Sequence, residues 1–387
     1  MSTNGRSAET AEILNIRIDD LSRAGSGVGR DSQGRVIFVP RTAPGDLVRV
    51  AVTPIKKNYA EGELLEVVEP SSHRIAPKCA VFGRCGGCEW QHLPYALQWE
   101  TKLKGVSHAL ARAGVDAGGV AIEALPAEKI WNYRNRVQLR GDGQALGFYA
   151  AGSHGIVSLK ETGDRCEIAR EEINGRIPEI GREKAGVSRP YKVELEVAVD
   201  GDLRATWNAS HSFGGFRQIH DEQNLKLQAW VRAQVRPGGE VWDLYGGAGN
   251  LSLGLADIAT GIDCVDTGSP VTPPPGTPAH FRFHRSSVLT WVLRQKAKGR
   301  VGETTGAPHV TAIFDPPRAG LGADFSDMER VLAALGVHEA LLIGCDVDAW
   351  TRDLSRFVKR GWKIEALAAL DLFPQTHHVE ALARIRL

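Results

Sequence analysis

The sequence predicts an α/β protein with a small N-terminal β-barrel, a strand-rich central part and a C-terminal doubly wound sheet. The barrel is predicted from short alternating apolar runs, separated by turn residues, at 13–18, 35–39, 47–52 and 62–68. Strands are also predicted in the central part, at 136–140, 145–149 and 192–199. The C-terminal sheet is predicted from short apolar strands that alternate with helical segments, at 240–244, 260–264, 310–314 and 340–344.

These patterns divide the chain into consecutive segments. They are a flexible tail at 1–10, the barrel at 11–69, a central domain at 70–221 and the doubly wound domain at 222–387. Within the central segment, Pro94 opens and Gly114 closes a predicted helix, which we expect to pack on the C-terminal domain. The segment 268–278 carries five prolines and cannot be helical.

Composition predicts an ordinary globular protein. The 387 residues are enough for two or three domains, and 42% of them are hydrophobic and 24% charged. No apolar run is long enough for a membrane span, and the N-terminus lacks the apolar core of a secretory signal. We therefore expect a cytoplasmic monomer without a membrane partner. The net charge of +1 neither demands nor excludes nucleic acid, because a local basic groove suffices.

Three of the six cysteines are crowded into one short segment. Cys79, Cys85 and Cys88 lie within ten residues, and Cys166, Cys264 and Cys345 are scattered. In a reducing compartment such crowding indicates metal or redox chemistry before disulfides. Four thiolates suit either a 4Fe–4S cluster or tetrahedral zinc, and the spacing alone slightly favours zinc.

A glycine-rich loop follows the strand predicted at 240–244. It reads Asp243-Leu-Tyr-Gly-Gly-Ala-Gly-Asn250 and fits neither the dinucleotide fingerprint nor the phosphate-binding loop. An acidic residue, Asp263, is predicted to end the next strand, drawn at 260–264, where its carboxylate would accept both hydroxyls of a ribose. Together these features favour an adenosine ligand without a phosphate, such as S-adenosylmethionine.

Two further strands end in residues with reactive side chains. Cys345 follows the strand at 340–344 and precedes a helix, whose N-terminus would lower the pKa of its thiol. A buried structural cysteine is an equally good interpretation of that position alone. Asp315-Pro-Pro-Arg318 follows another apolar strand at the same sheet edge. Glu380 lies beside two histidines and, taken singly, would be interpreted as a surface residue.

In order and spacing, these pieces resemble the RNA uracil-5 methyltransferase family over residues 12–387. The start, 21–29 with 36–40, resembles the TRAM domain, the RNA-binding barrel of that family, and the C-terminal part resembles its Rossmann-like class I methyltransferase domain. The remaining matches are Cys79-x5-Cys85-Gly-Gly-Cys88 with Cys166, Tyr133-Arg-Asn-Arg136, Ser153-His154, Phe216-Arg-Gln218, Asp243 to Asn250, Asp315 to Arg318, Cys345 with Arg352-Asp353, and His378-Val-Glu380.

The resemblance implies a reaction and a role for each matching residue. Cys345 would attack C6 of uracil, so that C5 takes the methyl group of S-adenosylmethionine, and Glu380 would remove the C5 proton. The cofactor-binding residues would be Gln218, Tyr245, Gly247, Gly249, Asn250, Asp263, Ser287 and Asp315. Cys79, Cys85, Cys88 and Cys166 would hold a 4Fe–4S cluster, with zinc as the alternative occupant. RNA would meet Arg134, Arg136 and His154, with the target uridine unstacked from its neighbours.

The sequence departs from the family pattern at four places. Asp346-Val347 replaces Asn-Pro after the nucleophile, His220 replaces an asparagine, and Ser287 stands where the polar contact to adenine is usually Asn or Asp. The proline-rich segment 268–278 replaces a helix. These departures affect the adenine pocket but retain the nucleophile and the base, so we expect activity.

Alternative functions differ in features of the sequence. A cytosine-5 methyltransferase would carry a second cysteine in the loop occupied by Asp315-Pro-Pro-Arg318, and none is present. A non-catalytic RNA-binding assembly factor would not need both Cys345 and Glu380. The combination of TRAM domain and cluster favours large-subunit ribosomal RNA as substrate, with the T-loop of transfer RNA as the alternative.

Overall fold

The computed structural model describes residues 12–56, 58–209, 217–270, 272–297 and 309–387. The chain forms two compact units. The first comprises the residues up to Gly105 together with Ala145–Glu167 and Gln375–His377, and the second comprises Val106–Gln144, Ile168–Pro374 and His378–Leu387. The predicted central segment 70–221 is therefore shared by both units, and the division into consecutive domains stays a prediction. Among the described residues, no helix has the length and apolar character needed to cross a membrane.

The first unit begins with a closed five-stranded barrel, as predicted. Its strands are β1 (Glu12–Leu21), β2 (Gly27–Arg30), β3 (Val36–Val39), β4 (Leu47–Lys56) and β5 (Tyr59–Glu69). They close in the order β1-β2-β3-β5-β4 around alternating buried side chains such as Ile16, Ile18 and Ile37. Sequence analysis missed β2 because it is short and half glycine. Gly29 is required there, since a Cβ atom would lie 2.4 Å from the carbonyl oxygen of Arg17.

Helix α1 (Tyr95–Arg112) confirms the predicted helix to within two residues at either end. Gly114 follows it with φ +63°, a left-handed conformation that suits glycine at a helix end. In the second unit, Arg112 donates to Asp348 at 2.7 Å, and the Ser355 hydroxyl donates to the carbonyl of Ala113 at 3.4 Å. Both partners lie on the helix that follows Cys345.

The second unit is built on an eight-stranded sheet. Its helices are α2 (Glu171–Glu183), α3 (Asp221–Gln234), α4 (Val288–Ala297), α5 (Phe325–Ala334) and α6 (Val347–Val358). The remaining strands are β6 (Ile122–Leu125), β7 (Arg136–Gly141), β8 (Leu146–Tyr149), β9 (Ile156–Ser158), β10 (Tyr191–Val197), β11 (Leu203–Trp207), β12 (Glu240–Leu244), β13 (Gly261–Asp266), β14 (Phe281–Arg285), β15 (Val310–Phe314), β16 (Glu339–Gly344), β17 (Lys363–Leu370) and β18 (Glu380–Arg386). Strands β8 and β9 form a hairpin in the first unit, and β7, β10 and β11 pair antiparallel in the second.

The large sheet has the order β14-β13-β12-β15-β16-β18-β17-β6. Strands β12 to β16 are parallel and β18 is antiparallel to both β16 and β17. This confirms the doubly wound fold. Val241, Ile262, Ile313 and Leu341 are fully buried on the parallel strands. Burying a side chain of this size contributes about 1.5–3 kcal/mol, so the core fixes where each strand ends.

Candidate active site

The pairing of β16 with β18 brings Cys345 and Glu380 together. Gly344, the last residue of β16, pairs with Ala381 of the antiparallel strand β18. Cys345 follows β16 and Glu380 begins β18, so continuing the register by one residue places them opposite each other. Glu380 is buried and Cys345 is half-buried. The two residues predicted as nucleophile and base are therefore neighbours.

Two residues of the next loop complete this charged group. Asp315 follows β15, which pairs parallel with β16, and Arg318 lies three residues further on. Burial, together with the charge of Asp243, raises the pKa of Asp315 to about 7. Burial and the charge of Asp315 raise the pKa of Glu380 well above its usual value, and Arg318 opposes that shift. The site thus concentrates carboxyl groups around one cation.

The thiol of Cys345 is harder to ionise than predicted. Burial and then the charge of Glu380 raise its pKa to about 11, although Arg318 acts in the opposite direction. The prediction of a lowered pKa was wrong, because burial and the charge of Glu380 dominate. Asp346, and not Cys345, is the N-cap of α6, and its Oδ1 accepts the backbone N–H of Ala349 at 2.9 Å. Aspartate and asparagine cap helices about equally well, so the departure at residue 346 preserves the local fold.

A small pocket of about 20 Å³ opens beside Cys345. Its walls come from the loop after β15, the end of β16 and the start of α6, and include Pro316, Pro317, Arg318 and Trp350. The indole nitrogen of Trp350 donates to the carbonyl of Leu342 at 3.1 Å, which fixes the ring against the strand.

Helix α6 holds the loop that carries Arg318. Asp353 Oδ2 accepts the backbone N–H of Leu321 at 2.7 Å, and Arg352 donates to the carbonyl of Ala319 at 2.7 Å. Gly320 has φ +72°, and a Cβ atom there would lie 2.2 Å from Asp353 Oδ2. The Arg352-Asp353 pair, noticed in the sequence only as a family match, thereby anchors this loop.

The glycine-rich loop lies at the same edge of the sheet, after β12. Tyr245, Gly247 and Gly249 all have positive φ, at 70°, 54° and 83°. Gly246 has no space for a side chain, because a Cβ atom would lie 2.5 Å from the carboxylate of Asp243. The loop is therefore held tightly against the end of its own strand.

Asp243 is fully buried under this loop. Its Oδ2 accepts the hydroxyl of Ser252 at 2.5 Å, and its Oδ1 has no partner among the described residues. Burial raises the pKa of Asp243 to about 6. An unpaired buried acceptor is costly, so this atom is a good position for a hydrogen-bond donor of a ligand.

Asp263 does not lie where the sequence analysis placed it. The prediction that its strand ends near this residue was wrong, because β13 continues to Asp266. The Asp263 carboxylate accepts from Arg282 at 2.7 and 2.8 Å and contacts His284 Nε2 at 2.7 Å. These contacts hold the pKa of Asp263 well below its usual range. Asp266, which the analysis missed, ends the strand beside the glycine-rich loop, where Tyr245 N–H donates to Val265.

The other predicted cofactor residues occupy different environments. Asn250 exchanges side-chain hydrogen bonds with Asn224 of α3 at 2.9 Å. Ser287 lies just before α4 at the end of β14, and its hydroxyl donates to that of Thr290 at 2.7 Å. Gln218 is buried, and Phe216 lies outside the described residues. Apart from residue 271, the segment 268–278 contains no helix, as predicted.

His220 takes over the role of a helix cap. Its Nδ1 accepts the N–H of Gln223 at 3.4 Å at the start of α3, and its ring stacks on Tyr133 with 4.7 Å between the ring centres. Burial lowers the pKa of His220, which favours the neutral ring. Replacing an asparagine here therefore preserves the cap.

The predicted RNA-contacting residues differ in how available their side chains are. Arg136 is paired with Glu196 at 2.9 Å and with Glu194 at 3.8 Å, which neutralises much of its charge. Arg134 has a buried Nε without a partner among the described residues. His154 is exposed in the first unit, with its ring edge against Tyr149.

The four cysteines predicted to bind a metal lie on adjoining segments of the first unit. Lys78 pairs with Glu167 at 2.8 Å, next to Cys79 and Cys166 respectively. Cys85 and Cys88 line a pocket of about 730 Å³. All four thiols are half-buried and outside any disulfide. Within the described ranges, no three His, Cys, Asp or Glu side chains are arranged to hold a metal ion. Four thiols are the donor set of an iron–sulfur cluster.

Comparison with known proteins supports both the N-terminal TRAM barrel and the RNA methyltransferase fold of the whole chain. Residues 8–65 match the TRAM domain family. An uncharacterised RNA methyltransferase of Bdellovibrio bacteriovorus is 30% identical over 96% of this chain and 95% of its own length. The 23S rRNA (uracil(1939)-C(5))-methyltransferase RlmD of Chromohalobacter salexigens is 28% identical over 98% of this chain and 90% of its own length.

A solved structure has the same fold over nearly the whole chain. The tRNA (uracil-54, C5)-methyltransferase of Pyrococcus abyssi, in complex with S-adenosyl-L-homocysteine, superposes with a TM-score of 0.70. It is 22% identical, and the match covers 96% of this chain and 99% of that one.

A glycine-rich loop and a cysteine at the edge of a doubly wound sheet, with an N-terminal TRAM barrel, define an S-adenosylmethionine-dependent RNA methyltransferase. The chain belongs to the RNA uracil-5 methyltransferase family, which confirms the resemblance found in the sequence.

The raised pKa of Cys345 predicts a distinctive pH profile for its alkylation by iodoacetamide. The rate should keep rising above about pH 9, because a thiol of pKa about 11 is still mostly protonated there. Arg318→Gln should raise this pKa further and slow alkylation at a fixed pH several-fold. Peptide mass spectrometry would follow Cys345 alone, with Arg330→Gln at an exposed ion pair as control. A plateau near pH 8.5 would contradict the prediction.

Proposed function

We propose that this enzyme methylates C5 of a uridine in large-subunit ribosomal RNA, with Cys345 as nucleophile and Glu380 as base. The observation that carries the proposal is the β16–β18 register, which sets these two side chains opposite each other. The support for the RNA class is the relative from Chromohalobacter salexigens, which is named for 23S rRNA and matches this chain over nearly its full length. The T-loop of transfer RNA is the alternative, favoured by the shared fold with the Pyrococcus abyssi enzyme.

The proposed reaction involves two proton transfers, from the Cys345 thiol and from C5 of uracil, and one transient covalent bond between sulfur and C6. Cys345 loses its proton and its sulfur bonds to C6 of uracil, so that the ring electrons move to C5. S-adenosylmethionine supplies the methyl group that C5 takes up. Glu380 then accepts the C5 proton, the C5–C6 double bond re-forms and the sulfur leaves C6.

The charges around the site suit these steps. Arg318 is the cation that favours the thiolate of Cys345 and the carboxylate of Glu380. A buried carboxylate of raised pKa holds a proton more strongly than an exposed one, so Glu380 is an effective acceptor once it is ionised. The same burial excludes the water that would compete for the proton.

Labelling of purified RNA tests the reaction and the substrate together. Methyl-labelled S-adenosylmethionine would be incubated with the enzyme and either 23S rRNA or transfer RNA, followed by nucleoside mass spectrometry. We expect labelled 5-methyluridine in 23S rRNA, and none with Cys345→Ala, because that variant lacks the nucleophile. Glu380→Gln should trap a covalent protein–RNA adduct, because the C5 proton stays in place. Label in transfer RNA alone would reject the ribosomal substrate.

The cofactor site is proposed to lie around the ends of β12, β13 and β14. Tyr245, Gly247 and Gly249 would line it through the tight backbone of their loop, with Ser287 beside the adenine. Gln218, Asn250 and Asp315 complete the proposed set. We assign the ribose hydroxyls to Asp266 instead of Asp263, because Asp266 ends its strand whereas Asp263 is already bound by Arg282 and His284.

Matched aspartate variants separate these two roles. Asp266→Asn should weaken S-adenosylhomocysteine binding roughly 10-fold or more, as expected when a charged hydrogen-bond acceptor is lost. Asp263→Asn should lower the melting temperature, because Arg282 loses its partner, and change the binding constant much less. Calorimetric titration and thermal unfolding measure both quantities. The opposite pattern would return the ribose to Asp263.

We further propose that Cys79, Cys85, Cys88 and Cys166 hold a 4Fe–4S cluster. The support is the donor set of four thiols on segments joined by the Lys78–Glu167 pair. Bound there, the cluster would crosslink residues 79–88 to residue 166, which suits a structural role.

The predicted RNA-contacting residues Arg134, Arg136 and His154 stay part of the proposal.

Metal analysis of protein purified without oxygen tests the cluster. We expect about four iron and four sulfide ions per chain and a visible absorption band. Cys166→Ser should lose most of this iron, whereas Cys264→Ser, at a buried cysteine of the second unit, should keep it. One zinc ion and no sulfide would favour the alternative occupant.

A further inference from the structure

The residues that precede Glu380, 375–377, are hydrogen-bonded to residues that follow the cysteine cluster 79–88. Gln375–His377 belongs to the first unit, although the strand that begins with Glu380 belongs to the second. The carbonyl of Gln375 accepts two backbone N–H groups, from Glu89 at 3.0 Å and from Trp90 at 3.1 Å. Both donors directly follow Cys88 in the sequence. The residues just before the base are thus fixed by backbone bonds within the first unit.

The side chain of Gln98 on α1 adds two hydrogen bonds to Gln375. Its Oε1 accepts the backbone N–H of Gln375 at 3.0 Å, and its Nε2 donates to Gln375 Oε1 at 3.1 Å. The same Nε2 also donates to the carbonyl of Leu93 at 2.9 Å. Gln98 and Gln375 are 1% and 2% exposed, so no water can replace these bonds. Gln375 has φ +70°, an unfavourable conformation for a glutamine that the surrounding bonds maintain.

His377 adds a third contact to the same segment. Its backbone N–H donates to the carboxylate of Glu89 at 3.3 Å, and its Nδ1 contacts the same oxygen. Its ring also packs edge-on against Trp90. Gln375 and His377 are therefore both hydrogen-bonded to Glu89, Trp90 or Gln98. We call these bonds the Gln98–Gln375 clamp.

We propose that Gln98 and Gln375 are positioning residues for the base Glu380. This inference rests on the proposed function, since it concerns the step that the base performs. The clamp fixes the chain three to five residues before Glu380. Cys345, in contrast, is carried by β16 and α6, which the clamp does not include. Loosening the clamp should therefore slow removal of the C5 proton more than attack on C6.

The test compares turnover with the amount of covalent adduct. Gln375→Met removes the amide and keeps the length of the side chain. We expect turnover to fall roughly 10-fold, since small displacements of a catalytic group are costly. The fraction of enzyme trapped as RNA adduct on a denaturing gel should rise several-fold. Gln295→Met, which removes another buried amide whose Nε2 donates to the carbonyl of Trp291 in its own helix, should change neither quantity.

A second pair of variants tests the same clamp without changing Gln98 or Gln375. Glu89→Ala removes the acceptor for His377, and we expect a smaller rise of the adduct fraction. Glu89→Gln retains an acceptor oxygen and should restore the wild-type ratio of adduct to product. Hydrogen exchange of the peptide that contains 375–377 should be faster in Gln375→Met and Glu89→Ala than in Glu89→Gln.

Three results would overturn the inference. One is a fall in turnover without adduct, accompanied by a lower melting temperature, which is the effect of general destabilisation. Another is unchanged turnover in Gln375→Met despite faster exchange. If the wild-type enzyme itself formed neither product nor adduct, the proposed function would fail first, and the positioning role would fail with it.

Discussion

The antiparallel register between β16 and β18 is the constraint on which the site depends. Pairing of Gly344 with Ala381 sets Cys345 opposite Glu380, and a slip by one residue would turn one of them to the other face of the sheet. The register is fixed by the core, because Leu341, Ile343 and Leu382 are buried on these two strands. Parallel pairing of β15 with β16 then adds Asp315 and Arg318 at the same edge. A hydrophobic core thereby determines which reactive groups meet.

The charges of the site explain why the proposed nucleophile, Cys345, is mostly protonated at neutral pH. Burial and Glu380 raise the pKa of Cys345 to about 11, so the neutral thiol dominates at neutral pH. Such a thiol resists oxidation and stray alkylation, because the thiolate is the reactive form. Arg318 is the cation that opposes this shift, and its loop is anchored by Arg352 and Asp353. Control of reactivity therefore depends on a loop contact that lies outside the reacting pair.

Much of the fold was predictable because its strands are short, apolar and separated by clear turn residues. The strands at 240–244 and 310–314 were predicted with their observed bounds. The error at β13 has a physical cause: Asp263 interrupts an apolar run, and only its partners Arg282 and His284 on the neighbouring strand explain how the strand accommodates a buried charge. Pairings of this kind depend on tertiary contacts. For the same reason, the sequence showed Arg136 as a basic residue without showing Glu194 and Glu196 beside it.

The burial of carboxyl groups also links the stability of the second unit to its ligand. Asp243, Asp315 and Glu380 all have raised pKa values, so each is easier to bury when protonated. Their destabilising effect is absent below the pKa of the unfolded chain, near 4, and grows as pH rises towards the folded values. At neutral pH the fold thus carries negative charge that burial disfavours. A cofactor with a positively charged sulfonium and ammonium group would offset that charge, and Asp243 Oδ1 is a buried acceptor that has no partner among the described residues. Binding of such a cofactor should therefore stabilise the second unit.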